Sequence, residues 1–533
     1  MDKKKKNMVI IEVDGKKFEA LEEENLLQFL LKNKFPIPHL CYHLDYEPAE
    51  ACRLCLVEVN GRIKTSCGVK IKDGMKIITT SEKIKKLQII NSRLIAQSKL
   101  RKQNREKFNF DKIIEFDMSK CVDCGLCIRG CPILAIAFEG YGVDQKVAPT
   151  KNPCVFCGQC LTRCPANAIN TDEEEYQRIK KFIKSKKIKI AQVAPSIRTS
   201  LGELFNYSHE KMTGEKVVAA LKALGFDYVF DTSLGADFTT FEEAKELVFR
   251  IKNDGFLPML TSCCAGWVKY VKDHIPRFLP YLTATLPPEI ILGNLIKHYF
   301  IKKMGFNQQD VCLVSIMPCT AKKWEIKRKE LLVDGIFPVD EVLTTVELGR
   351  WLKEEAVDFV NLTEKEFDQP LGGASGAGVI YGTTGGVMTS ALRTAYYLLT
   401  QKDPTNLYFE EKITDLAGVK IFEIKIEERT LKIAVVNGLG NFNQIANRLE
   451  EFHYVEVMAC PGGCLSGGGQ PKPVNNQIRQ KRKAVLFGID QKKAVRTSHN
   501  NPFLKQVYQE FLTDEKQISK YCQVMVEPHG AKS

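Results

Sequence analysis

The sequence predicts a multidomain chain of mixed class: two small α+β domains built around cysteine loops, followed by a long α/β domain in two lobes. Three observations carry this reading. The chain has 533 residues, more than one ordinary domain holds, and its 44% hydrophobic and 26% charged residues are those of a globular protein. Its 19 cysteines fall into sets rather than being scattered evenly. Strand-like apolar runs that alternate with helical ones begin only near residue 185.

In the first domain, residues 1–79, Val9 to Val13 and Lys16 to Ala20 read as strands around the hairpin signal Asp14-Gly15, and Asn25 to Asn33 reads as a helix. Cys41, Cys52, Cys55 and Cys67 follow with the spacing C-x10-C-x2-C-x11-C. This order resembles the β-grasp ferredoxin domain that holds a 2Fe-2S cluster; a zinc site is the alternative. Residues 80–115 form a basic connector, with Ile84, Leu87, Ile90 and Leu94 at helical intervals and neither Cys nor His.

The next domain, residues 116–172, repeats C-x2-C-x2-C-x3-C-P: first Cys121, Cys124, Cys127 and Cys131, then Cys154, Cys157, Cys160 and Cys164. In two-cluster bacterial ferredoxins the fourth cysteine of each run ligates the other cluster. One 4Fe-4S cluster is therefore expected on Cys121, Cys124, Cys127 and Cys164, and the other on Cys154, Cys157, Cys160 and Cys131.

The long domain, residues 185–500, shows strand-like runs at Lys189 to Val193, Tyr228 to Asp231, Pro258 to Thr261, Val311 to Met317, Ile433 to Asn437 and Tyr454 to Met458. Several end just before a cysteine loop, as sites beyond the carboxyl ends of parallel strands do. Thr239 to Asp254 is helical by pattern, with Glu243, Glu246 and Arg250 along one face beside an apolar stripe. Residues 501–533 are set apart as a C-terminal tail.

Bulk properties narrow the function. The net charge is +13, and residues 1–110 carry 23 Lys or Arg against 14 Asp or Glu. That surplus reads as a solvated face or as a surface that steers an acidic partner; no nucleic-acid motif accompanies it. No apolar run approaches the roughly 20 residues of a membrane span, and the first residues lack a signal-peptide core, so a cytoplasmic protein is expected. In that compartment so many cysteines point to metal rather than disulfides.

The loops Thr-Ser-Cys-Cys-Ala-Gly-Trp at 261–267, Met-Pro-Cys-Thr-Ala-Lys-Lys at 317–323 and Met-Ala-Cys-Pro-Gly-Gly-Cys-Leu-Ser-Gly-Gly-Gly-Gln at 458–470 bring the remaining signal. In this order, behind ferredoxin-type domains, they resemble the signature loops of the FeFe hydrogenases, and the resemblance covers nearly the whole chain. It implies an H-cluster: a 4Fe-4S subcluster on Cys264, Cys319, Cys460 and Cys464, with Cys464 bridging to a diiron unit bearing CO, cyanide and an azadithiolate. Cys263 is then left over, and the resemblance makes it the proton partner of the bridge amine, a task suited to a thiol with an ordinary pKa of about 8.5. It further implies a proton path through Glu243, Glu246, Thr283 and Arg250, although Glu246 and Arg250 alone read as an i, i+4 ion pair. Pro195, Ser196 and Lys322 match the family's donors to cyanide, and Met317 and Met458 match residues packed against the diiron unit.

The implied reaction is reversible interconversion of H2 with protons and electrons. Ferredoxin or flavodoxin is the implied carrier, and maturation proteins supply the diiron unit. The proton/hydrogen couple at pH 7, about −0.41 V, lies close to low-potential ferredoxin clusters, so neither direction is strongly uphill. The chain also departs from the pattern. It has no residues for the additional His/Cys3-ligated cluster of many relatives, Ala265 stands where Pro is usual, Pro287-Pro288-Glu289 replaces Ser-Pro-Gln, and Gly373-Ala374 replaces a bulkier pair. A divergent subgroup is expected. The alternatives are a sensory or Fe-S-assembly relative without turnover, an electron-wire subunit of a respiratory complex, and the large subunit of an electron-bifurcating complex.

Overall fold

The computed structural model describes residues 7–101, 106–140, 146–253, 255–369 and 371–524. The lysine run at 3–6, Asp254 and residues 525–533, all used in the sequence reading, lie outside the described residues. The chain forms two compact units: one of Met1–Asn109, Glu115–Lys151 and Arg163–Asn170, the other of Phe110–Ile114, Asn152–Thr162 and Thr171–Ser533. The division passes through the doubled cysteine motif, so that Cys154, Cys157 and Cys160 fall in the second unit and Cys164 in the first.

The first unit opens with the hairpin Met8–Val13 and Lys16–Leu21. Its five-stranded sheet continues through Lys76–Ile78 to Leu56–Val59 and Arg62–Thr65. Alternation puts Val9, Ile11 and Val13 on the buried face, where Leu26, Leu27 and Leu30 of the Leu26–Lys32 helix cover them. Asn25 caps that helix by accepting from the Gln28 amide, and its side-chain amide donates to the Cys67 carbonyl at 2.6 Å. The helix start is thereby tied to the fourth cysteine of the first set.

The connector contains a helix, Glu82–Arg101. Of its expected apolar positions Ile84 is fully buried, whereas Ile90 and Leu94 are at least half exposed. Polar side chains make part of its attachment: Gln88 donates to the Leu56 carbonyl and Asn91 to the Arg53 carbonyl.

The second unit holds two four-stranded sheets, matching the expected two lobes. One, in the order Tyr228–Asp231, Ile188–Val193, Val311–Met317 and Glu341–Thr344, is parallel throughout. The other runs Met259–Leu260, Tyr454–Met458, Arg429–Asn437 and Val419–Ile426, with only its last pair antiparallel. Every residue of Val311–Met317 and of Tyr454–Met458 is buried, because helices and loops cover both faces of such sheets. Pro502–Glu510 and Glu515–Cys522 form helices rather than a loose tail, and Leu504, Val507, Ile518 and Cys522 enter the main core because their apolar positions recur at helical spacing.

Candidate functional site

Four strands aim at one place. Ile188–Val193 ends before Pro195-Ser196, Met259–Leu260 before Cys263-Cys264, Val311–Met317 before Cys319, and Tyr454–Met458 before Cys460. The loop bearing Cys460 and Cys464 turns through Gly462 and Gly463, both with positive φ. A Cβ at Gly463 would stand 2.8 Å from the Thr384 amide nitrogen, so glycine is required for backbone conformation and for space. Asn437 holds the turn by accepting from the Gly462 amide at 2.6 Å, and Arg482, fully buried, donates to the Leu465 and Pro471 carbonyls while paired with Glu203.

The result is a cavity of about 70 Å³ whose wall includes Pro195, Ser196, Cys263, Cys264, Glu289, Met317, Cys319, Lys322, Tyr381, Met458 and Cys464. Cys460 is not on this wall; its thiol points to the Cys157 carbonyl oxygen at 3.9 Å. Burial raises the Cys460 thiol, and the charges of Cys319, Cys157, Cys264 and Cys464 add to the rise, so the other three cysteines of the signature loops lie near it. Such a set has the donor chemistry of a 4Fe-4S cube.

The polar lining fits a bound group that carries hydrogen-bond acceptors. Ser196 Oγ is fully buried with no hydrogen-bond partner. Lys322 Nζ donates to Glu325 at 2.5 Å and to the Cys263 carbonyl at 3.4 Å. Burial works against the lysine's charge, but Glu325 and then Glu289 outweigh it and hold the ammonium protonated. Met317 and Met458, each 3% exposed, supply apolar contact.

On the far side of Cys263 lies a chain of titratable groups, most of them on one helix, Thr232–Lys252. Glu243 is 1% exposed and accepts from Tyr454 at 3.0 Å and Tyr381 at 3.1 Å. Burial pushes its carboxyl up to about 8, against the pull of the two hydroxyls. Burial likewise raises the Cys263 thiol well above its ordinary value, with Glu243 contributing. One turn on, Glu246 accepts from Arg250 at 2.5 Å and from the Thr283 hydroxyl at 2.6 Å. Arg250 also donates to the carbonyls of Phe256, Tyr281 and Leu282, so it ties the helix to that loop and is more than a surface ion pair. The structure thus brings Cys263, Glu243, Glu246, Thr283 and Arg250 together.

The cysteines of the first three sets are grouped just as specifically. In the first unit Cys121, Cys124, Cys127 and Cys164 line one small cavity with Met118, Val147 and Ile169, the crossed grouping expected of the doubled motif. Cys41 and Cys52 are mutually hydrogen-bonded, as are Cys55 and Cys67, and the charges of Cys41 and Cys55 both act on Cys67. Arg129, between Cys127 and Cys131, donates to the Cys41 and Glu47 carbonyls, and the Tyr46 ring lies between it and Arg163. In the second unit, Thr320 donates to the Phe156 carbonyl and Gln159 to the Ser466 carbonyl. The loop of Cys157 therefore packs directly on the loops of Cys319 and Cys464.

Three buried polar residues beside the site escaped the sequence reading: Tyr381, Tyr454 and Glu456. The tyrosines sit in apolar runs and read as core. Glu456 is fully buried in the middle of a strand, accepts from the Gly385 and Met388 amides, and is pushed up to about 7 by burial. A lone acid inside an apolar strand was the available signal.

The comparisons with known proteins agree with this geometry. The family described as "Iron only hydrogenase large subunit, C-terminal domain" matches residues 187–468, "2Fe-2S iron-sulfur cluster binding domain" 6–82, "4Fe-4S dicluster domain" 120–168 and "Iron hydrogenase small subunit" 476–519. The chain is 33% identical to the NADP-reducing hydrogenase subunit HndD of Solidesulfovibrio fructosivorans, covering 99% of each. It is 35% identical to iron hydrogenase 1 of Clostridium pasteurianum, covering 95% of this chain and 97% of the relative. Protein NAR1 of Arabidopsis thaliana is 31% identical over 64% of this chain and 78% of its own. The solved apo FeFe hydrogenase HydA1 of Chlamydomonas reinhardtii superposes with a TM-score of 0.60 at 34% identity, covering 66% of this chain and 98% of that one.

Proposed function

Since the chain belongs to the iron-only (FeFe) hydrogenase family, we propose that it interconverts H2 with protons and electrons and exchanges the electrons with a soluble carrier such as ferredoxin or flavodoxin. The observation that carries the proposal is a thiol that closes no cluster, Cys263, set between a cavity walled by cluster-type cysteines and the buried acid Glu243.

In this reading Cys264, Cys319, Cys460 and Cys464 would hold the 4Fe-4S subcluster with its diiron unit, Pro195 would wall the diiron unit, and Ser196 and Lys322 would be the donors that hold its cyanides. The diiron unit supplies the place where H2 is cleaved or formed. Everything else falls to the chain's own residues. Cys263 exchanges a proton at the cavity wall, with a thiol that burial keeps protonated between transfers. Glu243, near neutrality, both accepts and gives up that proton. Glu246, with Thr283 and Arg250 around it, carries the proton toward the surface, since Glu246 and Arg250 retain 18% and 12% side-chain exposure. Electrons enter through modules taken as residues 1–79 and 116–172, with the 2Fe-2S cluster on Cys41, Cys52, Cys55 and Cys67 and a 4Fe-4S cluster on Cys121, Cys124, Cys127 and Cys164. The remaining 4Fe-4S cluster falls to Cys154, Cys157, Cys160 and Cys131.

The likeness to NAR1 and, separately, to a protein described as a cytosolic Fe-S cluster assembly factor keeps a second reading in view. Cys263, Glu243 and Glu246 weigh against it, because a protein without turnover has no need of a proton path. The deciding experiment is infrared spectroscopy of the anaerobically matured chain together with dye-linked H2 turnover. Bands of CO and cyanide with turnover support the hydrogenase reading; bands without turnover favour a sensor, and no bands an assembly protein.

A further inference from the structure

Glu289 opens the helix Pro288–Leu295, is 1% exposed, and lies on the wall of the cavity that holds Cys263, Cys264 and Cys319. Neither of its carboxyl oxygens has a hydrogen-bond partner. Lys322 Nζ stands 3.6 Å from Oε2, beyond hydrogen-bond reach, and is engaged by Glu325 and the Cys263 carbonyl instead. Glu325 is itself fully buried. One buried cation thus faces two buried carboxyls.

Among the described residues on the cavity wall, Lys322 is the one cation. From the Ile188–Val193 strand, Gln192 donates to the Glu289 backbone carbonyl and to the Ser315 hydroxyl. Ser315 faces it from the Val311–Met317 strand, and the remaining titratable groups on the wall are the thiols and Tyr381. An unpaired buried anion costs several kcal/mol, so a proton on one of the two carboxyls is the cheaper state. Glu325 has the short contact to the ammonium, which leaves the proton to Glu289. Burial pushes the Glu289 carboxyl up to about 7, with Lys322 opposing and Glu325 adding to the rise.

We infer that Glu289 is held as a neutral carboxylic acid whose O–H is a hydrogen-bond donor into the active-site cavity, making it a proton-titrating position at the bound group distinct from Cys263. This rests on the hydrogenase reading above. As an acid it donates; once ionised it only accepts, and its proton passes to the medium with no change in oxidation state. Ionisation therefore removes a donor from the cavity and adds a negative charge there.

The test is infrared spectroscopy of the matured full-length protein from about pH 5 to about pH 9, a range spanning raised carboxyls and ordinary thiols. The CO and cyanide bands are expected to move to lower frequency in one proton step as pH rises. In Glu289→Gln, which keeps an N–H donor and cannot ionise, the bands should be present and stay at their acid positions. In wild type minus E289Q difference spectra at neutral pH, a protonated-carboxyl C=O stretch should appear. Bands that ignore pH in the wild type, a shift that survives in E289Q, or no carboxyl stretch each overturn the inference. Absence of CO and cyanide bands from the wild type overturns the hydrogenase reading and this inference with it.

Discussion

Tyr454 donates its hydroxyl to Glu243 at 3.0 Å across 211 residues of chain, and Tyr381 donates to the other oxygen of the same carboxyl. Donation to the charged form opposes the burial that raises this acid. Tyr454→Phe and Tyr381→Phe should therefore each raise the Glu243 pKa further, by about 1 unit or ~1.4 kcal/mol. The pH profile of H2 uptake by the matured enzyme should move in the alkaline direction. An unmoved profile in both variants would separate Glu243 from the rate-determining proton step.

The same acid bears on stability. Its folded value of about 8 lies above a glutamate's ordinary value of 4.5, so the folded protein binds the proton more tightly. Its contribution is favourable below the unfolded value and is lost as pH rises through the window between the two, on the order of a few kcal/mol. Glu243→Gln should flatten part of the fall in melting temperature across that window. Part of the fall should remain, because Glu456 and Glu289, both pushed up to about 7, share the window.

Cys263→Ala and Cys264→Ala, one residue apart, should give opposite results. The first leaves a full ligand set, so clusters assemble with the infrared signature intact while turnover collapses on the order of a hundredfold or more, the scale of a lost general acid-base group. Cys263→Asp should retain more activity than Ala, since a carboxylate still exchanges protons. The second removes a ligand and should damage the signature itself. If Cys263→Ala turns over like the wild type, protons use another route.

Iron content tests the ligand sets. Anaerobically matured protein should hold about 14 irons: 2 in the plant-type cluster, 8 in the ferredoxin pair and 6 at the active site. A value near 18 by metal analysis would mean that one more 4Fe-4S cluster is bound.

Carrier exchange should depend on salt. Turnover linked to an acidic ferredoxin should weaken as ionic strength rises above ~0.1 M, where the Debye length is about 10 Å, while dye-linked turnover stays level. Equal salt dependence of both would remove the role of the basic first 110 residues.

What could be read in the sequence divides along physical lines. Tyr228–Asp231, Val311–Met317 and Tyr454–Met458 were legible to the residue, because apolar residues dominate each of them despite Ser315 and Glu456, as they do in strands of a covered parallel sheet. Glu341–Thr344 was missed: four residues carry too little pattern, although Thr344 and Glu347 spell a capping box for the next helix. Val419–Ile426 was missed because an edge strand alternates with exposed charges. The helix expected from Thr239 begins at Thr232, where Asp231 caps it by accepting from Ser233; Gly235 fits there because a Cβ would lie 2.2 Å from the Pro288 carbonyl oxygen. The ligand cysteines were legible because their spacing is local. The hydroxyls on Glu243 were not, since their partners are set by the fold alone.

The packing of Gly158 against Gly468 has a consequence for anyone who would trim the protein. A Cβ on Gly158 would lie 2.5 Å from the Gly468 Cα, and one on Gly467 would lie 2.1 Å from the Pro318 carbonyl oxygen. Here backbone meets backbone, with the Thr320 hydroxyl packed against the same contact. A shortened chain beginning near residue 180, the boundary that the cysteine repeat suggests, would strip the Phe156 carbonyl from Thr320 and the Gln159 amide from Ser466. It would leave a bare groove along the very loops that carry Cys319 and Cys464. A fragment of this protein that keeps these contacts therefore has to start before residue 152, and the loop of Cys157 serves as a structural support for the loops of Cys319 and Cys464.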